Sequence, residues 1–125
     1  MSILLYSTIN NDTKERILRT ITKLFEKDVI EICQSTAALS CRLKQPHGKL
    51  ELVITLVENQ NKLTNLLLMH NLFINIPIIL LLPGNDKEMV TIAHKLYPRY
   101  IGYIDDPPEA LIEVLKKMIN RLNNV

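Results

Sequence analysis

Histidine and cysteine are the side chains of this sequence that could bind a transition metal or act as nucleophiles. The histidines, His47, His70 and His94, show no paired spacing of the kind that zinc sites need. Cys33 and Cys41 are too far apart for a CxxC motif, and each has apolar neighbours. We therefore predict no metal site, histidines at the surface or its boundary, and two free thiols that are buried or partly buried. No serine lies in a G-x-S-x-G motif, so the sequence does not support hydrolytic catalysis.

The elements that would position such residues alternate regularly along the chain. Short apolar runs typical of strands lie at residues 3–6, 29–33, 50–57, 76–82 and 100–104. Helical spacing of apolar residues follows each run, beginning near residues 10–13, 35, 61, 86 and 108. The third of these helices is predicted to continue to Phe73, and the second strand is polar enough for a sheet edge. Single helices between strands indicate an α/β fold, a three-layer, doubly wound parallel sheet of the flavodoxin-like kind.

Two details of the helices are specific enough to be tested. In the first helix Ile17 and Ile21 belong to the apolar stripe, whereas Lys14 is predicted to fall mainly on the solvent side. The segment 83–86 is predicted to end the fourth strand and to cap the next helix through its polar residues.

Composition limits the classes of protein to which the chain can belong. Its 125 residues are 47% hydrophobic and 22% charged, which predicts one domain over 1–125, and the N-terminal domain of a longer regulator would look the same. The formal charge is only +2 and the cations are scattered, so direct nucleic-acid binding is not expected. Polar residues interrupt the apolar window 63–82, and the N-terminus lacks a signal-peptide pattern. We expect a cytoplasmic protein that does not enter a membrane.

Three segments carry a resemblance to a known family. Residues 76–83 form an apolar run that ends in proline, residues 103–108 end in Asp-Asp-Pro-Pro, and residues 51–56 form a β-branched and aliphatic run. In pattern and spacing they resemble the fourth strand, the fifth strand with its lysine–proline turn, and the third strand of the receiver domain of bacterial two-component response regulators. The resemblance covers essentially the whole chain and implies the strand order 2-1-3-4-5.

The resemblance also implies where a receiver would hold its phosphorylation site, and the residues there differ in type. Ser7 and Thr8 stand where the family has the acidic pair that binds magnesium, and neutral hydroxyls are poor ligands for that ion. Leu56 stands at the phosphoacceptor aspartate and Leu82 at the hydroxyl residue of the fourth strand. Asp106 replaces the lysine that pairs with the phosphate and would repel it. We predict a degenerate receiver, or pseudo-receiver, that is not an enzyme and needs no cofactor.

A shift in the residue matching would leave a displaced acidic site. Such a shift brings Asp12, Glu58, Asp105 and Asp106 into consideration, with Glu58 the best placed as an alternative acceptor. Capping of helices and solvation at a strand end account for the same four residues without any phosphorylation.

A ligand-binding function is the alternative. The segment from Ser7 to Thr13 should lie beyond the carboxyl ends of the strands, where open α/β sheets bind ligands, and it is faintly similar to the hydroxyl-rich phosphate loop of flavodoxins. It lacks the glycine that lets backbone amides approach an anion, and Asp12 would oppose a phosphate. Flavin or nucleotide binding therefore stays the second hypothesis.

The favoured function is protein recognition, since receivers commonly signal through the surface made by the fourth helix, fifth strand and fifth helix. Tyr103 matches the aromatic switch position of the family, although an ordinary strand tyrosine would look the same. The other candidate interface residues are Lys95, Arg99, Glu113, Lys116 and Lys117. We expect a phosphorylation-independent module of signal transduction or transcription regulation, with a kinase, regulator or output domain as partner, or a homodimer through the last helix and strand.

Overall fold

A computed structural model describes residues 2–8, 12–25, 29–45 and 50–123, with side chains to residue 118. The strands are β1 Ser2–Ser7, β2 Val29–Cys33, β3 Leu50–Leu56, β4 Ile78–Leu82 and β5 Tyr100–Tyr103. The helices are α1 Asp12–Leu24, α2 Thr36–Lys44, α3 Gln60–Leu68, α4 Lys87–His94 and α5 Pro108–Asn123, with a short 3-10 helix at His70–Phe73.

The five strands form one parallel sheet in the order β2-β1-β3-β4-β5, which confirms the predicted flavodoxin-like architecture. Alternate residues of the central strands point to opposite faces, so each face has its own core. One core lies under α1 and α5, where Ile17 and Leu115 pack against strand residues such as Leu5. The other lies under α2, α3 and α4, where Leu39 and Leu63 pack against residues such as Val53. Strands buried on both faces explain their continuous apolar sequences.

The polar second strand is at the sheet edge, as predicted. Its Glu31 accepts two hydrogen bonds from Arg42 of α2, at 2.9 and 3.0 Å, which hold the helix to the strand. Val29 and Ile32 remain exposed. Cys33 is buried as expected, but the prediction for Cys41 is wrong, because this residue lies on the exposed side of α2.

The chain between α3 and β4 differs from the prediction of one long helix to Phe73. The helix ends at Leu68 and a 3-10 turn follows, in which the backbone amide of Leu72 donates to the carbonyl of Met69 at 2.9 Å. Asn75 then takes a left-handed conformation with φ 68°. Strand β4 begins at Ile78 rather than at residue 76, since Pro77 has no amide hydrogen, although its carbonyl accepts from Val53 at 3.0 Å.

Helix starts on the carboxyl side of the sheet follow local capping chemistry. Asp86 accepts hydrogen bonds from the amides of Glu88 and Met89 at 2.9 and 3.2 Å, which confirms the predicted cap of α4. Asn59 caps α3 through the amide of Lys62 at 3.0 Å. The candidate caps Asn10 and Asn11 lie outside the described residues. No helix in the described part of the chain has the length and apolarity to cross a bilayer.

Candidate functional site

The five predicted phosphorylation-site positions meet at the carboxyl edge of the sheet, the edge where β1, β3, β4 and β5 end. Ser7 pairs with Leu56 in the ladder between β1 and β3, and Leu82 pairs with Tyr103 between β4 and β5. The amide of Val57 donates to the Leu81 carbonyl at 2.9 Å, so β3 and β4 stay joined to their ends. The structure therefore brings these residues to one edge of the sheet, and their correspondence to a receiver's phosphorylation site stays a prediction.

The three central positions at this edge are closed to solvent. Leu56 is 1% exposed and belongs to the core under α1 and α5, whereas Leu82 is fully buried in the core on the other face. Ser7 is also buried. Leu56 has no nucleophilic atom and its side chain is packed in the core, so it cannot accept a phosphoryl group.

Thr8 and Glu58 form a polar contact across this edge. The Thr8 Oγ1 donates to the Glu58 Oε2 at 3.0 Å, which links the residue after β1 to the loop after β3. Glu58 is exposed and is the carboxylate nearest to the inert Leu56 in the sequence. The contact gives Glu58 a structural partner and leaves it accessible as the displaced acid considered above.

Asp106 is turned back on its own loop. Its Oδ2 accepts a hydrogen bond from the backbone amide of Tyr103 at 3.0 Å, and its own amide donates to the Tyr103 carbonyl at 3.0 Å. The carboxylate thus closes the turn between β5 and α5. A side chain used in this way stabilises the turn and keeps a negative charge at the edge where a receiver has its lysine.

Lys14 is a functional candidate that sequence reasoning missed, since it was placed on the solvent side of α1. It is only 4% exposed and lies in the first turn of that helix, at the carboxyl edge. The spacing could have revealed this, because Lys14 is three residues before Ile17 and so shares its sheet-facing side. Its aliphatic stem can be buried while the ammonium group finds polar partners.

Tyr100 is the second residue that the sequence analysis missed. Its ring lies against Gly102, where an added Cβ would be 2.7 Å from the Tyr100 Cε2, so the glycine makes room for the ring. Burial raises the pKa of Tyr100, with smaller contributions from the charges of Asp106 and Tyr103. The phenol therefore stays neutral beside a carboxylate at the carboxyl edge.

The crevice beside the end of β5 is too small for a flavin or nucleotide. A crevice beside Tyr103 and Asp106 has a volume of about 20 Å³, which is enough for about one water molecule. The Thr8 hydroxyl is engaged by Glu58, whose charge would oppose a phosphate. Residues 9–11 of the candidate phosphate loop lie outside the described residues, so ligand binding stays untested.

The predicted partner residues fall into two groups. Tyr103 is half-buried at the end of β5, and Glu113 and Lys117 form an exposed ion pair at 3.8 Å on α5, with Lys116 beside them. Lys95 and Arg99 lie at the opposite, amino edge of the sheet, where they line a groove with His70 and Tyr97. The structure thus separates the two cations from Tyr103 by the length of β5.

His70 and His94, the histidines in the described part of the chain, belong to no metal-binding cluster there. His70 and His94 are exposed, as expected, and the Nδ1 of His70 donates to the Leu67 carbonyl at 2.9 Å. His47 lies outside the described residues. Within the described ranges, no three His, Cys, Asp or Glu side chains come together as a metal site.

Comparison with known proteins identifies the fold. No protein-family model and no curated protein matches the chain. A receiver domain protein from Methanospirillum hungatei matches with a TM-score of 0.72 and 14% identity over 98% of this chain and 96% of that one. The receiver domain of a histidine kinase from Clostridium thermocellum gives 0.74 and 15%, over 93% and 94%. The receiver domain of an HD domain-containing protein from Pseudomonas fluorescens gives 0.72 and 16%, over 99% and 98%. The chain therefore has a receiver-like fold.

Proposed function

We propose that this chain is a receiver-like, phosphorylation-independent protein-interaction module of bacterial two-component signalling or transcription regulation, working in the cytoplasm and without catalysis. The observation that carries the proposal is the burial of Leu56, at 1% exposure, in the position of the phosphoacceptor. The receiver-like fold supports the signalling context, because solved domains of the same fold include a part of a histidine kinase.

The charges at the carboxyl edge support independence from magnesium and phosphate. A hard divalent cation needs several oxygen ligands with negative charge, and Ser7 and Thr8 are neutral. Lys14 is buried in the first turn of α1, which begins at the same edge, and its positive charge would oppose a bound cation. Asp106 would repel a phosphoryl group and is already used to close its turn.

The surface of β5 and α5 is the proposed partner interface. Tyr103 supplies a half-buried aromatic ring at the end of β5, and Glu113, Lys116 and Lys117 supply exposed charges of both signs on α5. Aromatic residues are common at protein interfaces, and mixed charges favour a defined orientation of the partner. The partner in this proposal is a kinase, a regulator or an output domain, with a second copy of the chain as the alternative.

An amide NMR titration with magnesium and beryllofluoride tests the absence of a phosphorylation site. We expect the amides of Ser7, Leu56 and Asp106 to stay unchanged through the titration. Saturable shifts centred on these residues would overturn the proposal. If Glu58→Gln then removed the shifts while Glu51→Gln did not, the displaced acid Glu58 would be the acceptor.

Sedimentation of the full chain tests the second copy as partner. A dimer through β5 and α5 should weaken with Tyr103→Ala and remain with Tyr97→Ala, because Tyr97 lies at the amino edge. A monomer at all concentrations directs the search to a different protein.

A further inference from the structure

A basic and apolar groove lies at the amino edge of the sheet, far from the predicted phosphorylation positions. We define the amino-edge groove by six of its lining residues, His70, Ile74, Asn75, Lys95, Tyr97 and Arg99. Its volume of about 560 Å³ is in the range of sites that bury a drug-sized ligand or a few side chains of a partner. The backbone of Arg99 is held to β4, because its amide donates to the Ile78 carbonyl at 2.8 Å.

Two large apolar side chains of the groove are left in solvent. Tyr97 is 89% exposed and Ile74 is 62% exposed, which places both among the most exposed large hydrophobic residues of the described chain. Neither residue belongs to the core under α2, α3 and α4. Exposed apolar side chains that line one groove, rather than being scattered over the surface, are typical of recognition surfaces.

Two residues of the amino-edge groove have an unusual backbone conformation. Asn75 with φ 68° and Tyr97 with φ 50° are the non-glycine residues in the left-handed region among the described residues, and both line the groove. Asparagine tolerates this region, but a bulky residue there is rare, and glycine is the usual residue just after a helix end. Glycine adopts this conformation without a Cβ clash, and the Tyr97 ring is 89% exposed, so burial of the ring does not account for a tyrosine at this position.

The charge of the groove selects the kind of partner. His70, Lys95 and Arg99 line it, and none of the lining residues in the described structure is acidic. Lys95 follows the end of α4 and His70 follows the end of α3, where the helix dipole favours basic groups, but this explanation does not extend to Arg99. The groove therefore complements a negatively charged group attached to an apolar surface.

We propose that the amino-edge groove is a second docking site, which binds an acidic protein segment with apolar side chains among its carboxylates. Lys95 and Arg99 pair with the carboxylates, and Tyr97 and Ile74 contact the apolar side chains. Tyrosine and arginine are the types that contribute most at protein interfaces, and a protein segment covers the exposed ring and aliphatic chain as a small anion does not. The site goes beyond the proposed function, since it lies on the other edge of the sheet from Tyr103.

The test is a selection from a displayed library of random peptides on the immobilised full chain. The same library is passed over Lys95→Glu/Arg99→Glu and over the control Arg19→Glu/Lys23→Glu, which makes an equal charge change on the exposed side of α1. We expect peptides rich in Asp or Glu together with Leu, Phe or Trp. They should bind the native chain and the control equally, and bind both Lys95→Glu/Arg99→Glu and Tyr97→Ala about tenfold more weakly.

Amide NMR shifts locate the bound peptide, and the dependence of affinity on salt tests the contribution of charge. A selected peptide should shift the amides of Ile74, Asn75, Tyr97 and Arg99, and its affinity should fall as ionic strength rises. Tyr103→Ala should leave its affinity unchanged, so failure of the proposed β5 and α5 interface and failure of this groove can be told apart.

Four results would overturn the inference. The first is a selection with no acidic preference or with no enriched peptide, and the second is equal binding to Lys95→Glu/Arg99→Glu. The third is saturable shifts at Lys95 and Arg99 with inorganic pyrophosphate but with no selected peptide, which would indicate a small-anion site. The fourth is self-association of the native chain that Lys95→Glu/Arg99→Glu abolishes, which would make a second copy the occupant.

Discussion

The two edges of the sheet are made from the same strands but present opposite surfaces. At the carboxyl edge Leu56 and Leu82 are buried, Thr8 and Glu58 bind each other, and Asp106 closes its own turn. At the amino edge Ile74 and Tyr97 are exposed beside cations. At the carboxyl edge, where α/β folds bind ligands, these side chains are thus engaged in contacts within the chain. At the amino edge, the side chains of Ile74 and Tyr97 remain exposed to solvent.

The difference between the two edges shows that the fold does not depend on carboxylates at the strand ends. A receiver-like sheet needs apolar strands and helix caps, and these are present whether or not the strand ends carry carboxylates. Leu56 adds apolar burial to the core at the end of β3, so under the proposed function the absence of an acceptor and the gain of packing go together at this residue. At the amino edge, by contrast, Ile74 and Tyr97 remain exposed beside buried residues such as Leu96.

A substitution at the buried Leu56 of the carboxyl edge should have the largest effect on stability. Leu56→Asp removes apolar contacts and buries a carboxylate, so we expect the free energy of unfolding at pH 7 to fall by about 3 kcal/mol. Burial would raise the pKa of the new carboxyl in the folded state, so stability is lost as pH rises and the variant should recover near pH 4. Urea denaturation at both pH values measures this.

The controls for Leu56→Asp separate charge from shape. Leu56→Met should cost under about 1.5 kcal/mol, and Leu56→Asn should match Leu56→Asp only at low pH. Equal stability of Leu56→Asp and Leu56→Met at pH 7 would contradict the burial of the Leu56 side chain.

Gly102→Ala should have the next largest effect, because it disturbs the tyrosine ring beside the closed edge. The new Cβ would lie 2.7 Å from the Tyr100 Cε2 and 3.1 Å from the Leu81 Cδ2. We expect a loss of about 1–3 kcal/mol in thermal or urea unfolding, since a ring in a packed site must move. In a Tyr100→Ala background the same change should cost clearly less; an unchanged cost would mean that the contact with Tyr100 is not the cause.

At the amino edge, a substitution is expected to raise the free energy of unfolding rather than lower it. Tyr97→Gly should raise the free energy of unfolding by about 0.5–1 kcal/mol, because glycine adopts φ near 50° without a Cβ clash and the exposed ring contributes little packing. Tyr97→Ala retains the Cβ and should leave stability nearly unchanged. Urea denaturation of the three proteins decides this, and a destabilised Tyr97→Gly would show that the ring supports the fold.

The smallest effect concerns alkaline pH. Because burial and the charge of Asp106 raise the pKa of Tyr100, the folded state holds this proton more tightly than the unfolded state does. The resulting stability is present below the ordinary tyrosine pKa of about 10 and is lost as pH rises through the folded-state value. Tyr100→Phe should therefore flatten the fall in stability above pH 10, whereas Tyr97→Phe should not; identical profiles would contradict the role of burial.

Sequence reasoning located the five strands and five helices because buried parallel strands and amphipathic helices leave strong periodic patterns. It was less successful where local geometry decides. The division of the third helix into α3 and a 3-10 turn depends on the left-handed Asn75 and on Pro77, and apolar spacing does not report backbone angles. Lys14 was assigned to solvent by residue type, although its position on the helix indicated the sheet face.

The sequence by itself determined the alternation of elements, the edge character of β2 and the residue types at the strand ends, because these depend on local composition and period. Tertiary structure alone decided that Leu56 is closed in the core, that Asp106 bonds back to Tyr103, and that His70, Lys95 and Arg99 line one groove. Those facts join residues from different elements, and only the packing of helices on the sheet brings such residues together.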